Sequence, residues 1–250
     1  MKRICLAMML IASAFVTASA AGELSVNNSN VKRNWAVSEE VKEYAHEDFV
    51  PGIDATIDMP VGNSKLAVAV KKWIGKTLGV EGKLYDSAEE LVDALAAHLQ
   101  ANDPDQTQEF SISKVYENCK LVTFVISGYD YPCGAAHGMP YNFGATFRKS
   151  DGKEMGKSLV RKNAKLNSLL KAGLKKYFEV NSDAELRECI SEPLKSLSLP
   201  GSEPWVEKNG VVFMYGAYEI APYASGMPYA VIPVSKILPY LTAEGKALLK

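Results

Sequence analysis

Segments with the two-residue hydrophobic period of a strand and segments with the period of a helix arrive in blocks along this chain, and few folds accept that order. Residues 49–60 set Ile53, Ala55, Ile57 and Met59 against Asp54, Thr56 and Asp58, a strand with one face buried and its acids in water. Leu66, Val70, Trp73, Ile74, Thr77 and Leu78 then share one helical face, which Gly79 closes. Ser87 with Glu90 makes a capping box for a second helix striped by Ala88, Leu91, Val92, Leu95 and Leu99, and Asn102-Asp103-Pro104 ends it. A meander follows, with strands across 110–116, 120–131 and 143–147 and turns at Glu117-Asn118 and Ser150-Asp151-Gly152. Two more helices come next, one lined by Leu166, Leu170, Leu174 and Phe178, the other capped by Ser182 with Glu185. Residues 193–204, rich in Pro and Ser, lead to strands at 204–207, 211–215 and 229–233, with Asn209-Gly210 as a hairpin turn, and Ser235 opens a terminal helix. Helices grouped with helices and strands with hairpin partners predict an α+β fold: a mixed, mainly antiparallel sheet with helices packed on it, rather than a parallel doubly wound sheet.

The amino terminus sets the compartment. Lys2 and Arg3 precede an apolar run over 4–16, and the small residues Thr17-Ala18-Ser19-Ala20-Ala21 follow, which reads as a secretory signal peptide of residues 1–20 cleaved after Ala20. The run is shorter than the roughly 20 apolar residues that span a bilayer, and Cys5 lies too early to be a lipidation site. No later stretch is long and apolar enough to re-enter a membrane, so a secreted or periplasmic protein without a transmembrane segment is expected. Losing Lys2 and Arg3 leaves 26 basic against 29 acidic residues, a formal charge of −3, so the chain lacks the basic footprint of a nucleic-acid binder. Behind the signal, residues 21–44 are polar and rich in Asn and Ser, a tail or first edge strand. A soft boundary between Gln100 and Gln108 divides a first module, 45–104, from a larger domain, 105–250.

The residues carry little overt chemistry. Export exposes thiols to oxidation, and the mature chain keeps Cys119, Cys133 and Cys189. Either Cys133 pairs with Cys189, or all three pack as reduced small hydrophobes; a nucleophilic Cys133 would need a base nearby. His46, His98 and His137 do not cluster, and no HExxH, CxxC, GxSxG, Walker or GxGxxG pattern is present. Neither a metal nor a cofactor is therefore expected, and no catalytic residue is assigned.

Two aromatic, glycine-rich connections stand out. The first runs over 129–141 and holds Tyr131, His137 and Tyr141, with Gly134 and Gly138 free to take positive φ. The second runs over 215–229 and holds Tyr218, Glu219, Tyr223 and Tyr229. Tyrosine offers broad apolar area and a hydroxyl at small entropic cost, which suits contact with a glycan or a protein. Each loop also has an architectural reading: His137 tying down carbonyls, and Glu219 buried and satisfied by backbone N–H groups and tyrosine hydroxyls. Glu219 with Asp130 forms a conceivable carboxylate pair for glycoside hydrolysis.

Gly134-Ala135-Ala136-His137-Gly138 resembles the G-G-A-H-G signature of the RsiV-like family, with Ala135 at its second glycine. Residues 212–226, ending in Val231-Ile232-Pro233, resemble its second signature. That family covers the extracellular domain of a lysozyme-sensing anti-sigma factor and many exported bacterial proteins of unknown function. The likeness spans about 110–241, and 45–100 resembles the PdaC/RsiV-like module that often precedes it, without PdaC's separate deacetylase domain. It implies an exported cell-envelope binding protein for a peptidoglycan-type glycan or a lysozyme-like protein. The cleavable signal, standing where the anti-sigma factor has a membrane-spanning helix, argues against signalling by regulated proteolysis. An envelope hydrolase using Glu219, Asp130 or His137 and a non-catalytic scaffold are the alternatives.

Overall fold

The computed structural model describes residues 22–43, 45–162 and 165–250. The expected signal peptide and its cleavage point after Ala20 lie outside the described residues.

Six strands build the larger sheet, in spatial order β1 (Val26–Asn34), β2 (Gly52–Pro60), β3 (Gln106–Glu117), β4 (Leu121–Pro132), β5 (Met139–Arg148) and β6 (Glu154–Met155). Every neighbouring pair is antiparallel except β2 and β3. Those two run parallel because α1 (Lys65–Thr77) and α2 (Ala88–Asn102) carry the chain back across one face, as a parallel pair requires. The fold is α+β, as the blocks in the sequence predict. The Asn- and Ser-rich stretch near the amino terminus forms β1, whose polar side chains suit an exposed sheet edge.

The sheet runs straight across position 104, where the sequence suggests a boundary. Ala55 pairs with Phe110 and Ile57 with Ile112, and one core holds Ile57, Leu91, Val92, Ile112, Phe124 and Phe147. The helices over this core start and stop as their residues dictate. Ser64 Oγ accepts from Ala67 N–H at the start of α1, and Gly79, at φ +73°, turns the chain out past its end. At α2 only half of the capping box forms: Ser87 Oγ accepts from Glu90 N–H at 3.1 Å, while Glu90 reaches back to Asp86 N–H instead. Both halves form at α4 (Asp183–Cys189), between Ser182 and Glu185.

A second sheet, β7 (Trp205–Glu207), β8 (Gly210–Met214) and β9 (Tyr229–Ile232), lies between the larger sheet and α3 (Asn167–Tyr177). Its central strand is buried along its whole length because both its faces are covered. Val212 and Met214, with Trp205, meet Val125 of the larger sheet; Val211 and Phe213 join Leu170 and Leu174 of α3. The hairpin turns one residue earlier than expected, through Lys208 and Asn209, since Glu207 pairs with Gly210. Gly210 serves close approach instead: its φ is +145°, and a Cβ there would strike the Ile232 carbonyl. The terminal helix is broken into α5 (Val234–Ile237) and α6 (Ala243–Leu249) by a 3-10 turn containing Pro239, and Thr242 recaps the chain.

One buried charge cluster fastens the amino end. Glu117 Oε1 accepts from Leu24 N–H at 2.8 Å and from Lys149 Nζ at 2.5 Å, and Oε2 accepts from Lys114 Nζ at 3.0 Å. The side chains of Lys149 and Glu117 are 3% and 9% exposed, so removing one partner strands a buried charge. Burial pushes the Glu117 carboxyl up, but bonds from Lys149, Leu24 N–H and Lys114 outweigh it and hold the group below the usual carboxylate range. A depressed folded pKa stabilises above the unfolded value and ceases to do so as pH falls through the folded one. Glu117→Gln is therefore expected to cost about 3 kcal/mol at neutral pH by urea denaturation. That deficit should shrink as pH drops below about 4; a deficit independent of pH would contradict the ionic account.

Candidate functional site

The pleat decides which side chains meet at the open end of β4 and β5. Successive residues point to opposite faces, so Tyr129 faces the second sheet while its neighbour Asp130 shares the other face with Gln108 and Met139, its register partners. On Tyr129's side the two aromatic connections converge. The His137 ring stacks on Tyr223 with centroids 3.9 Å apart and planes 24° from parallel. The Tyr218 ring lies 5.6 Å from Tyr223, and its hydroxyl is 3.3 Å from His137 Nε2. His137 Nδ1 lies 2.9 Å from the Gly138 carbonyl, an acceptor only, so in the neutral ring Nδ1 donates and Nε2 accepts from Tyr218.

Gly138 is the hub of this cluster. Its N–H donates to the Tyr129 hydroxyl at 2.8 Å, and its carbonyl accepts from the Tyr223 hydroxyl at 2.9 Å as well as from His137. Its φ is not positive, contrary to expectation. Glycine is required because a Cβ would collide with the Asp130 carbonyl and the Tyr129 ring. Gly134 does take positive φ, at +75°. The Tyr129 hydroxyl, 3.5 Å from that of Tyr223, holds the Tyr223 phenol above its usual pKa, with desolvation adding to the effect.

Tyr218 itself sits at φ +65°, a left-handed conformation that a bulky side chain rarely adopts, and is 54% exposed. Glu219 imposes that geometry. Its carboxylate accepts from Gly201 N–H and Gly216 N–H, both at 2.7 Å, while its own N–H donates to the Gly216 carbonyl at 3.1 Å. Glu219 is thus an exposed loop fastener; the buried carboxylate satisfied by tyrosine hydroxyls is not what forms, and the Tyr215 hydroxyl instead donates to the Ser198 carbonyl. A backbone strained at an exposed aromatic, and over-determined by its surroundings, is typical of functional loops.

The other named residues lie elsewhere. Tyr131 donates to the Ala135 carbonyl and meets Phe49 edge-on, beside a groove with Asp54 and Glu109. Tyr229 meets Tyr177 edge-on beside α3. Tyr141 and Asp130 share a groove on the helix-covered face, so Asp130 and Glu219 do not form a carboxylate pair. Of the seven tyrosine, histidine and glutamate candidates, His137, Tyr218 and Tyr223 come together. Tyr129 joins them unforeseen, although strand alternation alone sets it opposite Asp130.

Cys133 and Cys189 are not bridged, and Cys119 is exposed rather than packed. Burial and the nearby Asp105 push the Cys133 thiol up, the reverse of what a nucleophile needs. Among the described residues no three His, Cys, Asp or Glu side chains gather as a metal site would require, and no helix is long and apolar enough to cross a membrane.

Residues 157–235, which span α3, α4, the second sheet and the Tyr218–Tyr223 loop, match a family model described as a protein of unknown function, DUF3298. No curated protein matches the chain. Among solved structures, a DUF3298 family member from Bacteroides fragilis is similar at 17% identity and a TM-score of 0.66, covering 91% of this chain and 98% of its own. A DUF3298 family protein from Pseudomonas aeruginosa is similar at 15% identity and a TM-score of 0.61, with the same coverage. The chain therefore carries a DUF3298 match over residues 157–235 and shares its fold, across nine-tenths of its length, with two proteins of that family.

Proposed function

We propose that the chain is an exported cell-envelope binding protein whose cluster of His137, Tyr218, Tyr223 and Tyr129 takes a peptidoglycan-type glycan, by binding rather than catalysis. The observation that carries this reading is Tyr218, held open to solvent in a strained backbone next to a stacked His137–Tyr223 pair. Aromatic faces accept the apolar faces of sugar rings, and the ring hydroxyls and imidazole around them offer hydrogen bonds to sugar hydroxyls. The signal-like amino terminus and the resemblance of both loops to RsiV-like signatures support an envelope location and a binding role. The dispersal of the carboxylates supports binding over hydrolysis.

Calorimetry of the mature chain against N-acetylated oligosaccharides, peptidoglycan fragments and lysozyme tests the reading. Binding to the glycans is expected, weakened about tenfold in Tyr223→Ala, as loss of one aromatic stacking partner implies. Tyr218→Asn should bind at least as poorly while melting no lower than the parent, because Asn tolerates the left-handed conformation. Silence toward every glycan from folded protein, or heat with lysozyme alone, overturns the glycan assignment. Amino-terminal sequencing of the exported protein is expected to begin at Ala21; a retained leader overturns the location.

A further inference from the structure

We propose that the groove beside Tyr131 continues the glycan site, so that the ligand is an uncharged glycan chain laid across β4, β3, β2 and β1 and not a terminal sugar alone. The inference rests on the glycan reading of the aromatic cluster and adds the length and charge of the chain that the site takes. The sheet register builds the connection. Lys32, Asp54, Glu109 and Tyr129 are partners in one row across β1 to β4, and Asn34, Gly52, Thr107 and Tyr131 are partners in the next. Residues two apart on a strand share a face, so both rows look the same way, and each ends in a tyrosine on β4. Tyr129 belongs to the aromatic cluster through the bond from Gly138 N–H. Its partner Glu109 lines the groove, so cluster and groove meet at that pair with no strand between them.

The groove has the shape and the chemistry that sugar rings require. It encloses about 430 Å³ between the sheet and residues 48–50. Gly52 makes the dip in its floor, and the Asn34 side chain lies across that glycine, where a Cβ would strike its Oδ1. Tyr131 is fixed on two sides: its hydroxyl donates to the Ala135 carbonyl at 3.1 Å, and its ring meets Phe49 edge-on with centroids 6.2 Å apart. With Val50, 49% exposed, these rings form an apolar wall for the C–H faces of a sugar. The side chains of Asn34, Thr107 and Glu109 have no hydrogen-bond partner among the described residues, which leaves an amide, a hydroxyl and a carboxylate free to meet sugar hydroxyls. A few convergent polar groups beside an apolar wall are the usual make-up of a ligand cleft. Three strand spacings, about 14 Å in all, separate β4 from β1, which calls for a chain of sugars. Charge selects which chain. Asp48, Asp54 and Glu109 line the groove against Lys32 alone, and Asp54 already pairs with that lysine at 3.4 Å. A carboxylate on the ligand would meet like charge there, so the glycan is one whose acid groups are absent or capped as amides.

The test is calorimetry of the mature chain with chitobiose, chitotetraose and chitohexaose, and with a hyaluronan hexasaccharide as an anionic chain of matched length. Affinity is expected to rise at least tenfold from chitobiose to chitohexaose, with hyaluronan at least tenfold weaker than chitohexaose. The double variant Asn34→Ala, Glu109→Ala changes two exposed side chains. It should lose most of the gain with length while its melting temperature and its affinity for chitobiose stay those of the parent. Glu109→Gln, which keeps hydrogen bonding but removes a charge, should keep the gain and narrow the gap to hyaluronan. Equal affinity for chitobiose and chitohexaose, or a gain untouched in the double variant, overturns the proposal while the aromatic cluster keeps its glycan reading. Hyaluronan bound as tightly as chitohexaose overturns it as well. Silence toward every oligosaccharide brings down the glycan reading and this extension together.

Discussion

The seating of Trp205 on Gly144 is the contact on which the rest of the molecule depends. Gly144 lies in the middle of β5, where a Cβ would fall inside the indole ring, so the strand offers a notch and the second sheet fills it. Trp205 is almost wholly buried there, and its indole N–H donates to Glu207 at 2.7 Å. Around this wedge the layers are stitched by polar groups as well: Thr123 and Thr146 bond to each other at 2.9 Å, and Val206 N–H donates to Thr146 at 2.8 Å. A tryptophan packed on a bare backbone buries a large apolar area with little conformational freedom left. It fixes the distance and the angle at which the 215–229 loop meets the β4–β5 end, and hence places Tyr223 on His137.

Much of the architecture could be read before any coordinates. Period-two runs and helix stripes located most strands and helices, and Ser87 and Ser182 marked true helix starts, because those signals depend on neighbours in the chain. What escaped depends on neighbours in space. The polar stretch at β1 reads equally as a tail or a first edge strand, and the open edge of β2 decides for the strand. The boundary suggested near 104 fails as a division of the sheet because Ile57 and Ile112 are partners across it. Gly138 and Gly210 read as turn glycines and prove to be sites of close approach.

The candidate site was legible as two loops but not as one surface. Sequence alone names Tyr131, His137, Tyr141, Tyr218, Glu219, Tyr223 and Tyr229 alike, since all are aromatic or polar in glycine-rich segments. The pleat then sorts them. Tyr129 turns toward the second sheet and Asp130 with Tyr141 toward the helices, so a single hairpin end furnishes two unlike surfaces back to back. Glu219 is set apart from the aromatic cluster as a loop fastener, its carboxylate already held by backbone N–H groups from two segments.

The anchoring of Leu24 by Glu117 has a consequence for how the molecule is made. The bond joins residues 93 positions apart, and the third party, Lys149, comes later still. β1 can pair with β2 once residue 60 has been made, but the Leu24 bond must wait for Glu117, and the ion pair that buries it for Lys149. Closing so wide a loop is slow and entropically costly. The β1–β2 pairing is thus available early, whereas the lock at its start closes only after residue 149 has been delivered.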